Sequence, residues 1–147
     1  MNISADRSAP VFASSETVID APLSKVWDTL TDIHHWPQWQ SSVTKTVLGG
    51  PIHEGTAFDW KADGISFRSQ IHTMKLNEEF GWTGRAIGAS AVHNWRFTQQ
   101  DSATVVKVEE SLRGLLPALF KKYFQKNLDK GILKNLRELK TASEKTS

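Results

Sequence analysis

The sequence predicts an α+β domain in which a curved antiparallel sheet of seven strands wraps around a long C-terminal helix, with two short helices after the first strand. Two observations lead to this prediction. Between Val43 and Leu112 apolar and polar residues alternate, which is the period of a strand with one buried face. After Leu115 the apolar spacing becomes three and four residues, the period of an amphipathic helix.

The composition indicates one domain and argues against several functional classes. A chain of 147 residues is in the usual range for a single domain, and we expect residues 1–147 to form it with an ordered core of about 10–141. The absence of cysteine excludes disulfides, thiolate nucleophiles and cysteine-ligated metals. A net charge of +2 gives no general field for nucleic acid. Without a signal peptide or a run of ~20 apolar residues, we expect a soluble cytoplasmic protein with no integral membrane segment.

The N-terminal third predicts one strand and two short helices. A β-branched stretch from Val11 to Asp20 is typical of a strand. Apolar residues then recur at helical spacing, at Leu23, Val26, Trp27 and Leu30. A shorter helix is expected to run through Ile33 and Trp36, with Pro37 interrupting it before Trp39.

The pairing of the middle strands follows from one turn. Asp63-Gly64 is typical of a two-residue hairpin in which both residues take positive φ. This turn places Trp60 opposite Phe67 and Phe58 opposite Ser69. Continued counting predicts the pairs Thr73–Trp82, Ile71–Gly84, Gly84–His93, Trp82–Trp95, His93–Glu110 and Trp95–Val108.

This register separates two faces, and a slip of one residue would exchange them. We expect the core face to hold Phe58, Trp60, Phe67, Ile71, Phe80, Trp82, Trp95, Phe97, Val106 and Val108. We expect the solvent face to hold Asp59, Lys61, Arg68, Gln70, His72, Thr83, Arg85, Asn94, Arg96, Lys107 and Glu109.

The last element is predicted as a single long amphipathic helix beginning near Leu115, with Pro117 in its first turn. Its apolar stripe consists of Leu116, Leu119, Phe120, Tyr123, Phe124, Leu128, Ile132, Leu136 and Leu139. Gly131 lies next to this stripe and costs about 1 kcal/mol relative to Ala in mid-helix, which suggests close approach of another group. The polar residues from Thr141 onward are expected to be disordered.

The order of elements and several local motifs resemble the START and polyketide cyclase/dehydrase (SRPBCC) superfamily and its helix-grip fold. The motifs are Ile19-Asp20-Ala21-Pro22 with Val26-Trp27, then Leu30-Thr31-Asp32 with Trp36-Pro37-Gln38-Trp39, and finally His93-Asn94-Trp95-Arg96-Phe97 followed by Thr104 to Glu110 and Gly114-Leu115-Leu116. The resemblance covers nearly the whole chain. It implies a cavity between sheet and helix, open at one end, but no single reaction, because members include carriers, receptors, cyclases and chaperone partners.

The sharpest candidate for chemistry is the pair His93 and Glu110, which the register makes cross-strand neighbours on the apolar face. A carboxylate orients an imidazole and suits it to act as a general base. The alternative is a mutually satisfied polar pair that fixes the register or hydrogen-bonds a ligand. Gly84, expected beside His93, would either form the cavity floor or mark a bend in the sheet.

The residues expected to contact a ligand are aromatic, aliphatic and a few polar side chains. They are Trp39, Phe58, Trp60, Phe67, Ser69, Ile71, Trp82, Gly84, His93, Trp95, Phe97, Val108, Glu110, Phe124 and Leu128. For any one apolar residue among them, ordinary core packing is the alternative. No cofactor is expected, and the histidines lack metal-ligand spacing.

Three hypotheses of function remain open from the sequence. The first is a binder or carrier of a small hydrophobic molecule that is lipid-like, polyketide-like or aromatic. The second is a metal-free enzyme of cyclase or dehydratase type that uses His93 and Glu110. The third is a partner protein that delivers a quinone or lipid through the lysine-rich last helix, although a solvated helical face is the simpler explanation for the lysines. Either a monomer or a homodimer is expected.

Overall fold

The computed structural model describes residues 2–145. Over these residues the sheet has seven antiparallel strands in the order β1-β7-β6-β5-β4-β3-β2. The strands are β1 Val11–Ile19, β2 Val43–Leu48, β3 Ala57–Ala62, β4 Ile65–Lys75, β5 Glu79–Ala86, β6 Ala89–Gln100 and β7 Ala103–Arg113. The helices are α1 Leu23–Thr31, α2 Trp36–Trp39, α3 Leu115–Leu119 and α4 Lys121–Glu144, with a 3₁₀ turn at Ile33–His35 before α2.

This arrangement confirms the predicted fold. The sheet curves around α4, which buries Leu128, Ile132, Leu136 and Leu139 against it. Gln125 fastens the start of α4 to the first strand, because its side-chain amide donates to the Phe12 carbonyl at 2.7 Å. No helix among residues 2–145 combines the length and the apolar character that crossing a membrane requires.

The hairpin between β3 and β4 has the predicted register. Asp63 and Gly64 take φ values of 52° and 78°, and Trp60 pairs with Phe67. The pairing of His93 with Glu110 across β6 and β7 is also confirmed. These two hairpins have two-residue turns, so counting from the turn is sufficient.

The two hairpins between them differ from the predicted register, by two residues at Trp82 and Gly84 and by one residue at Thr73, which pairs with Gly81. Trp82 pairs with Ile71 and with His93, whereas Gly84 pairs with Ser69 and Ala91. One cause is an irregularity in β4 between Ile71 and Thr73. The other is the β5–β6 turn, which contains only two residues where four were expected, with Gly88 at a φ of 76°. A shift of two preserves the face of each side chain, so the aromatic residues still point inward.

The predicted solvent face is partly covered by the N-terminal residues. Residues 2–8 cross the outer face of the sheet, where the Ile3 amide donates to His72 at 3.2 Å and Asp6 pairs with Arg113. His72 is therefore buried instead of exposed. At the other end α4 continues through Glu144, beyond the limit of 141 expected from polarity.

The C-terminal helix is broken near its start. Phe120, at φ −123° and ψ 49°, separates α3 from α4. Because of this break Leu119, Phe120 and Tyr123 are exposed, although the helical spacing had placed them in the apolar stripe. Pro37 also differs from expectation, since it lies in the first turn of α2, where its missing N–H costs nothing.

Candidate ligand-binding cavity

A cavity of about 340 Å³ lies between the concave face of the sheet and the first half of α4. From the sheet it is lined by aromatic and polar residues that include Trp60, Phe67, Trp82, His93, Trp95 and Glu110. From the helix it is lined by Phe124, Asn127, Leu128, Gly131, Ile132 and Asn135. Ile65 and Ile87 are largely exposed and also line the cavity, so they mark its mouth.

The sheet register brings the polar pair to the cavity wall. Trp82, His93 and Glu110 occupy one row across β5, β6 and β7. His93 Nδ1 lies 2.6 Å from a carboxylate oxygen of Glu110, and the two side chains are only 8% and 15% exposed. Because an ionised carboxylate only accepts hydrogen bonds, Nδ1 is the donor in this contact. Glu110 therefore fixes the orientation of the ring.

The imidazole is also held between two indoles. Its centroid is 4.5 Å from that of Trp82 and 5.5 Å from that of Trp95, with interplanar angles of 24° and 12°. These two ring contacts and the contact with Glu110 restrict rotation of the imidazole. The position of Nε2 is consequently defined by the scaffold before any ligand arrives.

His93 Nε2 is buried and has no hydrogen-bond partner among residues 2–145, and the same is true of Trp95 Nε1. Both residues line the cavity. In a neutral ring Nε2 is an acceptor, in a protonated ring it is a donor, and an indole N–H only donates. A buried polar atom without a partner costs about 1–3 kcal/mol. Together these atoms offer hydrogen bonds to a hydroxyl or carbonyl oxygen inside a mainly apolar space.

Several predicted contact residues lie outside the cavity wall. Phe58, Ile71, Phe97 and Val108 are buried in the surrounding core. Ser69 accepts a hydrogen bond from Trp60 Nε1 at 3.0 Å, which uses its hydroxyl within the protein.

Gly84 lies outside the cavity wall. A Cβ at Gly84 would lie 3.3 Å from Ser69 Oγ, and its partner on β6 is Ala91 instead of His93 because of the two-residue register shift.

The helix contributes more than the sequence indicated. Gly131 lines the cavity, and a Cβ added there would meet nothing within 4 Å. Trp36 lines the cavity where Trp39 was expected, and its Nε1 donates to the Leu30 carbonyl at 2.8 Å. The position of Gly131 beside the apolar stripe was the sequence signal that it lines the cavity. The spacing of Trp36 and Trp39 could not show which of the two lines it.

A larger depression of about 760 Å³ lies outside the sheet, but it is open and its wall is charged. Arg68 donates to Asp59 there at 3.0 Å, and this hydrogen bond lowers the pKa of the Asp59 carboxyl below its ordinary value. Its other charged residues, Lys45, Lys61 and Arg85, are exposed to solvent, so the depression presents a weaker case for a ligand site than the more enclosed cavity.

Comparison with known proteins identifies the family of the chain. The sequence profile of the family described as polyketide cyclase/dehydrase and lipid transport matches residues 11–144. Among the curated proteins nothing matches.

The fold is similar to several solved structures. A hypothetical protein from Helicobacter pylori superposes with a TM-score of 0.84 at 18% identity, covering 98% of this chain and 99% of that one. A START superfamily protein from Mycobacterium smegmatis gives 0.78 at 12% identity, covering 90% and 97%. The Zhui aromatase/cyclase from Streptomyces sp. R1128 gives 0.77 at 12% identity, covering 90% and 93%. At these identities the likeness establishes the fold alone. The match of the family profile over most of the chain establishes more: the protein belongs to the polyketide cyclase/dehydrase and lipid transport family and has its helix-grip (SRPBCC) fold.

Proposed function

We propose that this protein binds a compact, mainly aromatic molecule with one hydroxyl or carbonyl group directed at His93 Nε2. The observation that carries the proposal is the unpartnered, buried Nε2 on the wall of an apolar cavity, with Glu110 holding the opposite ring nitrogen. Buried polar atoms in folded proteins almost always have partners. A ligand oxygen would supply the missing one.

The size of the cavity restricts the class of ligand. A volume of about 340 Å³ corresponds to roughly eleven water molecules at about 30 Å³ each. A one- or two-ring molecule matches such a space. Trp60 and Phe67 stack at 4.8 Å on one wall and provide flat apolar surface for a ring.

The test compares 2-naphthol with naphthalene, two probes of matching shape that differ by one hydroxyl. The wild-type protein should bind 2-naphthol more tightly by roughly three- to tenfold, the contribution of one hydrogen bond. His93→Leu should bind both probes alike. Equal binding of the two probes by the wild type, or retention of the preference by His93→Leu, would count against the anchor.

A second candidate function is favoured by one specific observation, the 2.6 Å contact between Glu110 and His93 Nδ1. A ring oriented in this way can act through Nε2 as a general base on a carbon or hydroxyl of the bound molecule, as required for cyclisation or dehydration. The aromatase/cyclase among the similar structures gives this chemistry a precedent on the same fold.

This activity can be tested without knowing the substrate. 2-Tetralone has an acidic C–H next to a carbonyl and is close to 2-naphthol in size. General-base catalysis should accelerate its deuterium uptake from D₂O by at least tenfold over buffer, as followed by proton NMR. His93→Gln should return the rate to background, and Glu110→Gln should lower it. Exchange at the background rate in the wild type would leave the protein as a binder without this activity.

A further inference from the structure

The mouth of the cavity is surrounded by exposed apolar side chains. Ile87 is 95% exposed at the tip of the β5–β6 turn, and Leu115 and Leu119 are 68% and 64% exposed. We refer to these residues, together with the exposed rings in the same region, as the apolar rim: Ile87, Leu115, Leu119, Phe120 and Tyr123. Exposed apolar patches of this kind mark interaction sites.

The apolar rim is continuous with the cavity wall. The Leu116 amide donates to the Gly88 carbonyl at 3.1 Å, which joins α3 to the β5–β6 turn. The ring of Tyr123 lies 5.4 Å from that of Phe124. Leu116, Phe124 and Ile87 itself line the cavity. Whatever covers the rim therefore also faces the entrance to the cavity.

Basic residues follow the apolar rim along α4. Residues 115–134 contain five lysines and one aspartate, a net charge of +4, whereas the whole chain carries only +2. Lys121, Lys122, Lys126 and Lys130 are all exposed and border one shallow depression with Asp129. A cluster of positive charge thus directly follows the apolar rim along the chain.

We propose that the apolar rim and these lysines dock on the surface of an anionic lipid bilayer, with the cavity mouth facing the bilayer. The combination is typical of interfacial membrane binding, in which apolar side chains enter the headgroup region and lysines contact anionic lipids. A side chain that is 95% exposed, such as Ile87, projects from the surface. A deformable apolar phase accommodates such a projection more readily than a protein surface, which would need a matching groove.

The first experiment is sedimentation with phosphatidylcholine vesicles, with and without about one-third phosphatidylglycerol, at low ionic strength. The wild type should bind the anionic vesicles and be released by salt. Each lysine near an anionic surface strengthens binding by roughly fivefold, so Lys122→Glu/Lys126→Glu should weaken it by roughly 30-fold or more. Leu119→Ser/Phe120→Ser should weaken it as well.

The matched control is Lys75→Glu/Leu76→Ser, at the opposite end of the sheet, where Leu76 is 73% exposed. Its vesicle binding should equal that of the wild type. All variants alter exposed residues, and thermal unfolding checks that each is folded. Equal weakening by the control would overturn the proposal, because it would indicate adsorption without a defined face.

A second experiment separates insertion of the rim from simple charge attraction. The chain has no cysteine, so Ile87→Cys and Leu76→Cys can each carry one environment-sensitive fluorophore. The label at position 87 should shift to the blue with anionic vesicles, and the label at position 76 should not. Failure of the wild type to bind these vesicles, or binding to an acidic protein in their place, would refute the proposal.

Discussion

Gly131 offers the most direct perturbation of the cavity from the helix side. It lies in the middle of α4, lines the cavity, and has no heavy atom within 4 Å of the position of an added Cβ. Gly131→Ala should therefore remove the helix penalty of glycine, about 1 kcal/mol, without a clash. In a chain of 147 residues this corresponds to a rise in Tm of roughly 2–4 °C.

Gly131→Phe should instead fill the cavity. The seven added carbon atoms form a benzyl group, and a cavity of about 150 Å³ holds a benzene ring. The added side chain therefore takes nearly half of the 340 Å³ available. Binding of 2-naphthol, followed by its fluorescence, should fall by at least tenfold while the protein remains folded.

The control for bulk alone is Leu133→Phe, which changes a half-exposed residue two positions further along α4. It should bind 2-naphthol like the wild type. The reasoning is refuted by a folded Gly131→Phe protein that binds with unchanged affinity, or by a Gly131→Ala protein with a lower Tm. Either result would mean that the space beside Gly131 is not part of the binding site.

Two further predictions concern stability. Gly81→Ala should lower the free energy of unfolding, measured by urea denaturation, by about 1–3 kcal/mol. The reason is that the new Cβ would lie 2.7 Å from the His72 ring. The control Gly50→Ala has open space around the new Cβ and should change the free energy of unfolding little. Hydrogen bonds from Lys140 and from the Asp20 amide lower the pKa of Glu144 below its ordinary value of 4.5. This stabilisation is present above that value and is lost as the pH falls through the lower folded pKa. In Glu144→Gln the free energy of unfolding should therefore fall less steeply as the pH is lowered. An unchanged pH dependence at acid pH would contradict stabilisation by the ionised Glu144.

The sequence was sufficient to predict which face of each strand is buried, because that depends only on parity. Trp82 and Trp95 point inward as predicted even though the β5–β6 hairpin that joins their strands was misaligned by two residues. Exact pairing depends on turn length and on irregularities such as the one near His72, and neither follows from alternation. His93 and Glu110 were paired correctly because the turn between their strands is a regular two-residue turn.

The break at Phe120 and the cavity itself could not be predicted from spacing. Apolar residues continue at intervals of three and four through the break, and Pro117 precedes it by three residues, so no sequence signal locates it. A cavity is a property of how side chains fill space. Phe58 and Trp60 have the same pattern in sequence, yet one is in solid core and the other is on the cavity wall.

The two buried histidines provide an internal comparison that bears on the function of the site. His72 has partners at both ring nitrogens, with Thr73 Oγ1 2.8 Å from Nδ1 and Asn94 Oδ1 2.7 Å from Nε2. His93 has Glu110 at Nδ1 and no partner among residues 2–145 at Nε2.

This difference gives a prediction about stability as well as binding. His72→Leu removes the hydrogen bonds of the His72 ring with Asn94 and Thr73. The loss should lower the free energy of unfolding by about 1–3 kcal/mol. The double variant His93→Leu/Glu110→Leu removes the buried polar pair of the cavity. Because hydrogen bonds offset only part of the cost of burying this pair, the double variant should have an unchanged or higher Tm. The same double variant should lose the preference for 2-naphthol over naphthalene. A large loss of stability in the double variant would mean that the pair holds the fold together. Retained stability together with loss of the preference for 2-naphthol is the pattern expected of residues that serve a ligand at a cost in stability.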